Sequence, residues 1–221
     1  MKKFDIETPK SLTEIVAGRL REAIIDGDFA LGELISEETL AQSFGVSRTP
    51  VRDALTLLQT TGLVEIRAKR GSFVFQPDEA DIRAICDFRV VLEVHGAVLS
   101  HGLDKKGLLA ELRAVLMEMS EADAADDSVR YGRADSVFHE ALFNRCGNLY
   151  VRDAYRLLSG KVAALRTNLS RHFADARTVS LAEHRKVIAL IDRADFAGLE
   201  RLLQLHVGRT VEAFRLARAA A

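Results

Sequence analysis

The sequence predicts a mainly α-helical protein in two parts: three short helices closed by a β-hairpin, followed by an all-α antiparallel helical bundle. Three observations predict it. Apolar residues recur at helical spacing from Lys10 to Thr60. After Gly62 the pattern changes to two short strand-like runs around a basic turn. Beyond Pro77 no proline interrupts a long series of helical segments whose joints carry glycines and capping residues.

A chain of 221 residues suits two modest domains, each large enough to bury a core. Apolar residues at 48% and charged residues at 29% place it in the ordinary globular class. No run approaches the roughly 20 apolar residues of a membrane helix. The lysines of Met1-Lys2-Lys3-Phe4 have no apolar run behind them, so the expectation is a cytoplasmic chain without a secretory signal. Cys86 and Cys146 lack any paired spacing and read as buried thiols of a reducing compartment. A net charge of −1 gives no overall basic field, so any surface for nucleic acid has to be a local patch.

The first helix is expected from Lys10 to Asp26, with Leu12, Ile15, Val16, Leu20, Ala23 and Ile24 on one side. Thr8-Pro9 and Ser11-x-x-Glu14 compete as its cap, and Gly27 stops it. Ser36 opens a second helix with Glu37 and Glu38 in its first turn, where acidic groups suit the helix dipole. Gly45 ends that helix, and Val46 is the apolar pin of the turn. Ser47 caps a third helix that tolerates Pro50 in its first turn. Val51, Ala54, Leu55 and Leu58 line one side; Arg48, Arg52, Thr56 and Gln59 share the other, with Thr49 beside them.

A helix, a short glycine turn and a polar-faced helix form the helix-turn-helix arrangement that enters the DNA major groove. Arginines at the helix start can grip guanine O6 and N7, and the helix N-terminus favours phosphate. Leu63-Val64-Glu65-Ile66 and Ser72-Phe73-Val74-Phe75 then read as a hairpin, a wing tipped by Arg67-Ala68-Lys69-Arg70-Gly71. From Arg48 to Arg70 five basic residues face two acidic ones. The fold expectation is therefore a winged helix-turn-helix over residues 1–76 and a helical domain over 77–221.

Pro77-Asp78 marks the boundary. Six helices are expected beyond it, over 78–101, 105–124, 128–145, 148–172, 176–192 and 195–218, packed as an antiparallel bundle. Asp135 and His139 stand four apart and share a helix face. His184 and His206 come from the last two helices, each eleven residues from a turn centred near Asp195. In an antiparallel hairpin that puts both about 16 Å from the turn, at one level. One carboxylate and three imidazoles suit a divalent metal ion such as zinc, nickel, manganese or iron. Spacing alone leaves a metal site and ordinary packing equally open. His95, His101 and His172 fit no constellation and read as structural. Glu140 and Glu183 adjoin two of the candidate ligands, yet neighbouring helix positions face different ways.

Phe44-Gly45-Val46-Ser47-Arg48-Thr49-Pro50-Val51-Arg52-Asp53-Ala54-Leu55, Gly62-Leu63-Val64 and Arg70-Gly71-Ser72-Phe73-Val74 together resemble the signature of GntR-superfamily regulators. The resemblance implies that Arg48, Thr49, Arg52 and the wing glycine Gly71 contact operator DNA. It departs at Leu31-Gly32, where the family has proline-glycine, and at Glu38, where some relatives place a basic DNA contact. Phe88-Arg89-Val90-Val91-Leu92-Glu93, Asp135-x3-His139 with Gly147-Asn148, Glu183-His184-Arg185 and Leu205-His206-Val207 resemble the FCD effector domain of the FadR subfamily. That implies Asp135, His139, His184 and His206 as metal ligands, and a small organic acid as the effector.

Arg89 and Arg166 are then candidate partners of the effector carboxylate. Against this, Arg89 can simply pair with Glu93 one turn on, and Arg166 can lie at the surface. The resulting expectation is a ligand-responsive transcription regulator, acting as a repressor and as a homodimer on palindromic double-stranded DNA. The alternatives are a metal-dependent hydrolase and a metal-stabilised structural bundle fused to the DNA-binding part. No general base or nucleophile motif supports the hydrolase.

Overall fold

Ser11 accepts a hydrogen bond from the Glu14 backbone while the Glu14 carboxylate reaches back to the Ser11 N–H. This reciprocal box opens α1 (Leu12–Asp26), and Gly27 ends it at φ 86°. The computed structural model describes residues 10–170 and 176–219, so the competing Thr8-Pro9 cap lies outside the described residues. After α1 come β1 (Leu34–Ile35), α2 (Glu37–Phe44), α3 (Arg48–Thr60), β2 (Val64–Arg67) and β3 (Gly71–Val74). The chain divides into two compact units, Met1–Gln76 and Pro77–Ala221.

In the first unit, the apolar sides of α1 and α3 meet through Leu20, Ile24, Val51 and Leu55, all fully buried. The hairpin closes the core from below with Leu63, Val64 and Val74. The sheet has three strands in the order β1-β3-β2, all antiparallel, with Arg67 opposite Gly71 and Leu34 opposite Phe73. Strand β1 was not expected. Two residues are too few to show a period, and β1 exists only because β3 offers it an edge. Ser47 has the extended backbone of a cap but makes no side-chain cap bond. The hairpin tip is the three-residue loop Ala68-Lys69-Arg70, turned at Lys69 with φ 60°.

The second unit consists of α4 (Glu79–Ala124), α5 (Ser128–Asn144), α6 (Leu149–Ser170), α7 (Ala176–Asp192) and α8 (Phe196–Ala219). Asp78 opens α4 in a reciprocal box with Asp81. The break expected between helices over 78–101 and 105–124 is present as a kink, placed at Asp104 rather than at Gly102. The helix runs through the glycine, and only Asp104 leaves helical geometry, at φ −151° and ψ 71°. Its carboxylate accepts the Gly107 N–H at 2.9 Å and the Arg145 Nε–H at 3.0 Å, capping the second half of α4. A capping side chain with a cross-helix partner decides the kink, where a glycine alone does not.

Asp127, Asn148 and Asp195 cap α5, α6 and α8 through their side-chain oxygens. Helix α4 packs along α5, α7 and α8, and the shared core centres on Ile82, Leu112, Met119, Phe138, Leu142 and Leu203. Among the described residues no helix is long and apolar enough to cross a membrane. Cys86 and Cys146 are free and buried.

Gly96 lets α4 approach α5 closely. A β-carbon there would lie 2.6 Å from Phe143 Cδ1 and 3.2 Å from the Leu142 carbonyl. The Phe143 ring cannot turn aside, because it is buried and stacked on Tyr155 at 4.4 Å. Gly96→Ala is expected to destabilise this unit by about 1–3 kcal/mol through overpacking. Gly208→Ala on α8, where a β-carbon meets nothing within 4 Å, should be neutral or stabilising in the same thermal melts.

Candidate metal centre and nucleic-acid interface

Helix α5 presents Asp135 and His139 on its buried face, one turn apart, while α7 and α8 bring His184 and His206 against them. The four donor atoms lie within 4.8 Å of one another. His139 Nε2 is 3.4 Å from His184 Nε2 and 3.3 Å from His206 Nε2. Asp135 Oδ1 is 3.4 Å from His184 Nε2, and Oδ2 is 3.7 Å from His139 Nε2. The equal spacing of His184 and His206 from their turn does bring the rings together, with centroids 4.8 Å apart.

Each imidazole has its other nitrogen tied to an acceptor. His139 Nδ1 donates to Glu93 Oε2 at 2.8 Å, His184 Nδ1 to the Ser180 carbonyl at 2.8 Å, and His206 Nδ1 to Glu183 Oε2 at 2.7 Å. Since these partners only accept, the proton of each neutral ring belongs on Nδ1, and the three Nε2 lone pairs point into one space. Burial lowers the pKa of all three histidines against the pull of nearby carboxylates, and it takes His184 to about 4. Neutral rings with facing lone pairs cannot hydrogen-bond one another. Donors about 2.1 Å from one ion would stand about 3.0–3.4 Å apart at right or tetrahedral angles. The donor set therefore fits a single divalent cation.

The carboxylates around the centre remain ionised. Burial would raise Asp135, but Arg166 and the three histidines outweigh it and hold the acid well below its usual range. Glu93 and Glu183 are each held at about 2 against burial, the first by Arg89 and His139, the second by His206 and Arg209. Asp135 Oδ2 lies 2.6 Å from Arg166 Nε as an ion pair, yet no aligned hydrogen bond reaches that oxygen among the described residues. A lone pair is thereby left for an ion.

Arg166 is not a surface residue. It joins Asp135 to Ser136 Oγ at 2.8 Å on the same helix. Arg89 does pair with Glu93, at 2.8 Å, but the pair is buried and Arg89 Nη2 has no hydrogen-bond partner among the described residues. Glu93 thus links Arg89 to His139 through its two oxygens. The expectation that Glu183 faces away from the ligands is corrected. It is turned about 100° from His184 around α7, and His206 comes down from α8 on that side. Glu93 and Glu183 were both missed as partners of the histidines. A glutamate in phase with Cys86, Val90 and Ala97 on the buried side of α4 was the signal for Glu93. His101 packs edge-on against Phe196, His95 is exposed, and His172 lies outside the described residues.

In the first unit, Arg48, Thr49 and Arg52 are exposed at the start of α3, and Lys69, Arg70 and Gly71 are exposed at the hairpin tip. The Arg48 and Arg52 side chains are 60% and 62% exposed, which leaves both free to meet a ligand. Both guanidiniums converge on Glu37 Oε2, at 3.3 and 3.0 Å. The Arg52 hydrogen bond leads in holding the Glu37 carboxyl below its ordinary value. Sequence reasoning gave Glu37 only a helix-dipole role, because its partners lie 11 and 15 residues away. Arg67 turns back onto Glu65 at 2.8 Å and over the Phe73 ring at 4.7 Å. Among the described residues, Lys69 and Arg70 are therefore the tip charges without an ion-pair partner.

Replacing Glu183 by Gln removes the charge that polarises His206 and leaves Arg209 without its carboxylate. This change is expected to weaken divalent-metal affinity by about 10–100-fold, read by competition with a chromophoric chelator, with helicity unchanged by circular dichroism.

Residues 12–74 match the bacterial regulatory proteins of the gntR family, and residues 84–209 match the FCD domain. An HTH-type transcriptional regulator in an unstable DNA locus of Streptomyces ambofaciens is 30% identical over 86% of this chain and 79% of its own length. The gluconate operon transcriptional repressor of Bacillus subtilis is 28% identical over 82% of this chain and 76% of its own. Among solved structures, a GntR transcriptional regulator from Rhodococcus sp. RHA1 superposes with a TM-score of 0.77 at 28% identity, covering 95% of this chain and 99% of that one. E. coli McbR/YncC shares the fold at a TM-score of 0.80 and 20% identity, covering 96% and 100%. These relatives are named as regulators of transcription, which removes the hydrolase alternative. The chain belongs to the GntR family of DNA-binding transcriptional regulators, in the branch that carries an FCD domain.

Proposed function

We propose that the protein is a ligand-controlled repressor that senses a small organic acid at a divalent metal ion held by Asp135, His139, His184 and His206. The observation that carries this reading is the buried four-donor cluster, with the unpartnered Nη2 of Arg89 one carboxylate away from it. A buried guanidinium with an unused donor is costly unless something accepts from it. An effector carboxylate answers both needs, accepting from Arg89 while meeting the ion's positive charge. Arg166 serves the same site by holding Asp135. Zinc, nickel, manganese and iron all suit three imidazoles and one carboxylate. The name of the B. subtilis relative refers to gluconate, a sugar acid, in keeping with a carboxylate effector, and other relatives are also named repressors.

In this reading Arg48, Thr49 and Arg52 enter the major groove, and Lys69, Arg70 and Gly71 lie along the adjacent backbone or groove. A cytoplasmic homodimer sets two such units on a palindromic operator. An effector that prefers one arrangement of the bundle shifts operator affinity by its difference in affinity for the two states.

Selection from random duplex DNA by gel shift, repeated with a panel of organic acids, tests the whole reading. Arg52→Ala is expected to cost about 1–3 kcal/mol of specific operator affinity while metal content by elemental analysis stays intact. Unchanged operator affinity in that variant contradicts the groove assignment. His184→Ala should strip the metal and abolish the response to organic acids while operator binding survives. A variant that keeps its full metal content refutes the ligand assignment.

A further inference from the structure

Two guanidiniums at the start of α3 share one carboxylate. Glu37, the first residue of α2, takes Arg52 side-on: Nε donates to Oε1 at 3.5 Å and Nη2 to Oε2 at 3.0 Å. Arg48 Nη2 donates to the same Oε2 at 3.3 Å. The Glu37 side chain is 22% exposed, well below either arginine, so the carboxylate is the shielded member of the three. The Arg52 hydrogen bond holds the Glu37 carboxyl below its ordinary value, and Glu37 raises Arg52 in return. All three groups are therefore charged at neutral pH. An arginine carries five N–H donors. The contact with Glu37 occupies the Nε–Nη2 edge of Arg52 and leaves Nη1 without a hydrogen-bond partner among the described residues. What stays open is the Nη1–Nη2 edge, whose two parallel donors match the O6 and N7 acceptors of guanine.

We infer that Glu37 is a positioning residue for base readout: it grips Arg52 by one edge so that the other edge meets guanine in the major groove. The inference deepens the groove reading proposed above and rests on it. An untethered arginine at a helix start reaches for the nearest phosphate oxygen, a contact that carries no sequence information. Its long side chain also loses rotamer freedom at the moment of binding, unless that freedom is already restricted. Glu37 acts on both. Its charge repels phosphate and sits against two cations that otherwise push each other apart. Its two-point contact fixes the guanidinium plane before DNA arrives. The carboxylate thus gives up some general affinity for DNA and gains discrimination between bases.

The test compares Glu37→Gln with the wild type, as full chains, on two duplexes: one selected from random DNA by the wild type, and one of scrambled sequence. Binding of Arg52→Ala to single-base variants of the selected duplex first identifies the guanine that Arg52 reads. Glu37→Gln is expected to lose about 10-fold in affinity for the selected duplex, along with most of its preference for guanine over adenine at that position. Its affinity for the scrambled duplex should be unchanged or higher. Glu37→Ala, which removes both acceptor oxygens, should show the same pattern more strongly, with helicity retained by circular dichroism. An equal loss on both duplexes is the mark of a structural role and overturns the inference. An equal gain on both, the effect of lost charge alone, does the same. A wild type that enriches no sequence contradicts the groove reading, and the inference falls with it. A wild type that does enrich one, beside a Glu37→Gln variant that reads the same guanine equally well, contradicts the role of Glu37 alone.

Discussion

Three imidazole lone pairs and a carboxylate face one another at the centre of the second unit, and much of that unit is arranged around that fact. Such a cluster is unfavourable alone, because buried acceptors need donors. Here the donors are arranged so that none enters the middle. Glu93, the Ser180 carbonyl and Glu183 each take the Nδ1 proton outward, and Arg166 stands behind Asp135. All five helices of the domain contribute a ligand or a direct partner, α6 through Arg166. A cation held at the centre would turn that mutual repulsion into attraction, and metal binding would then add to the stability of the domain.

Protonation acts on the same cluster in the opposite sense. The histidines have pKa values lowered by burial, so the unfolded chain takes up protons first as pH falls below about 6.5. The carboxylates Glu93 and Glu183 are held at about 2, and their contribution disappears only below the ordinary carboxylate range. Both effects lower stability on acidification, in two successive windows. Neutral pH is thus the condition in which the rings are free to ligate and the carboxylates are charged.

The elements with local signals were legible in the sequence. Ser11 with Glu14, Gly27, Gly45 and Asp78 announced helix ends through chemistry within four residues. The helical phase of Val51, Ala54, Leu55 and Leu58 placed Arg48 and Arg52 on the outer side of α3. The convergence of Asp135, His139, His184 and His206 was legible in that two share a helix turn and two are equidistant from one hairpin. Spacing left a metal site and packing equally open, however, and only the FCD resemblance implied ligands. What escaped was set by residues distant in sequence. Glu93 meets His139 across 46 positions, Glu183 meets His206 across 23, and Glu37 meets Arg52 across 15. Periodicity fixes the side of its own helix on which a residue lies, and says nothing of what another helix sets against it. The joint before residue 105 was legible, but the partner that holds its cap, Arg145 from the end of α5, was not.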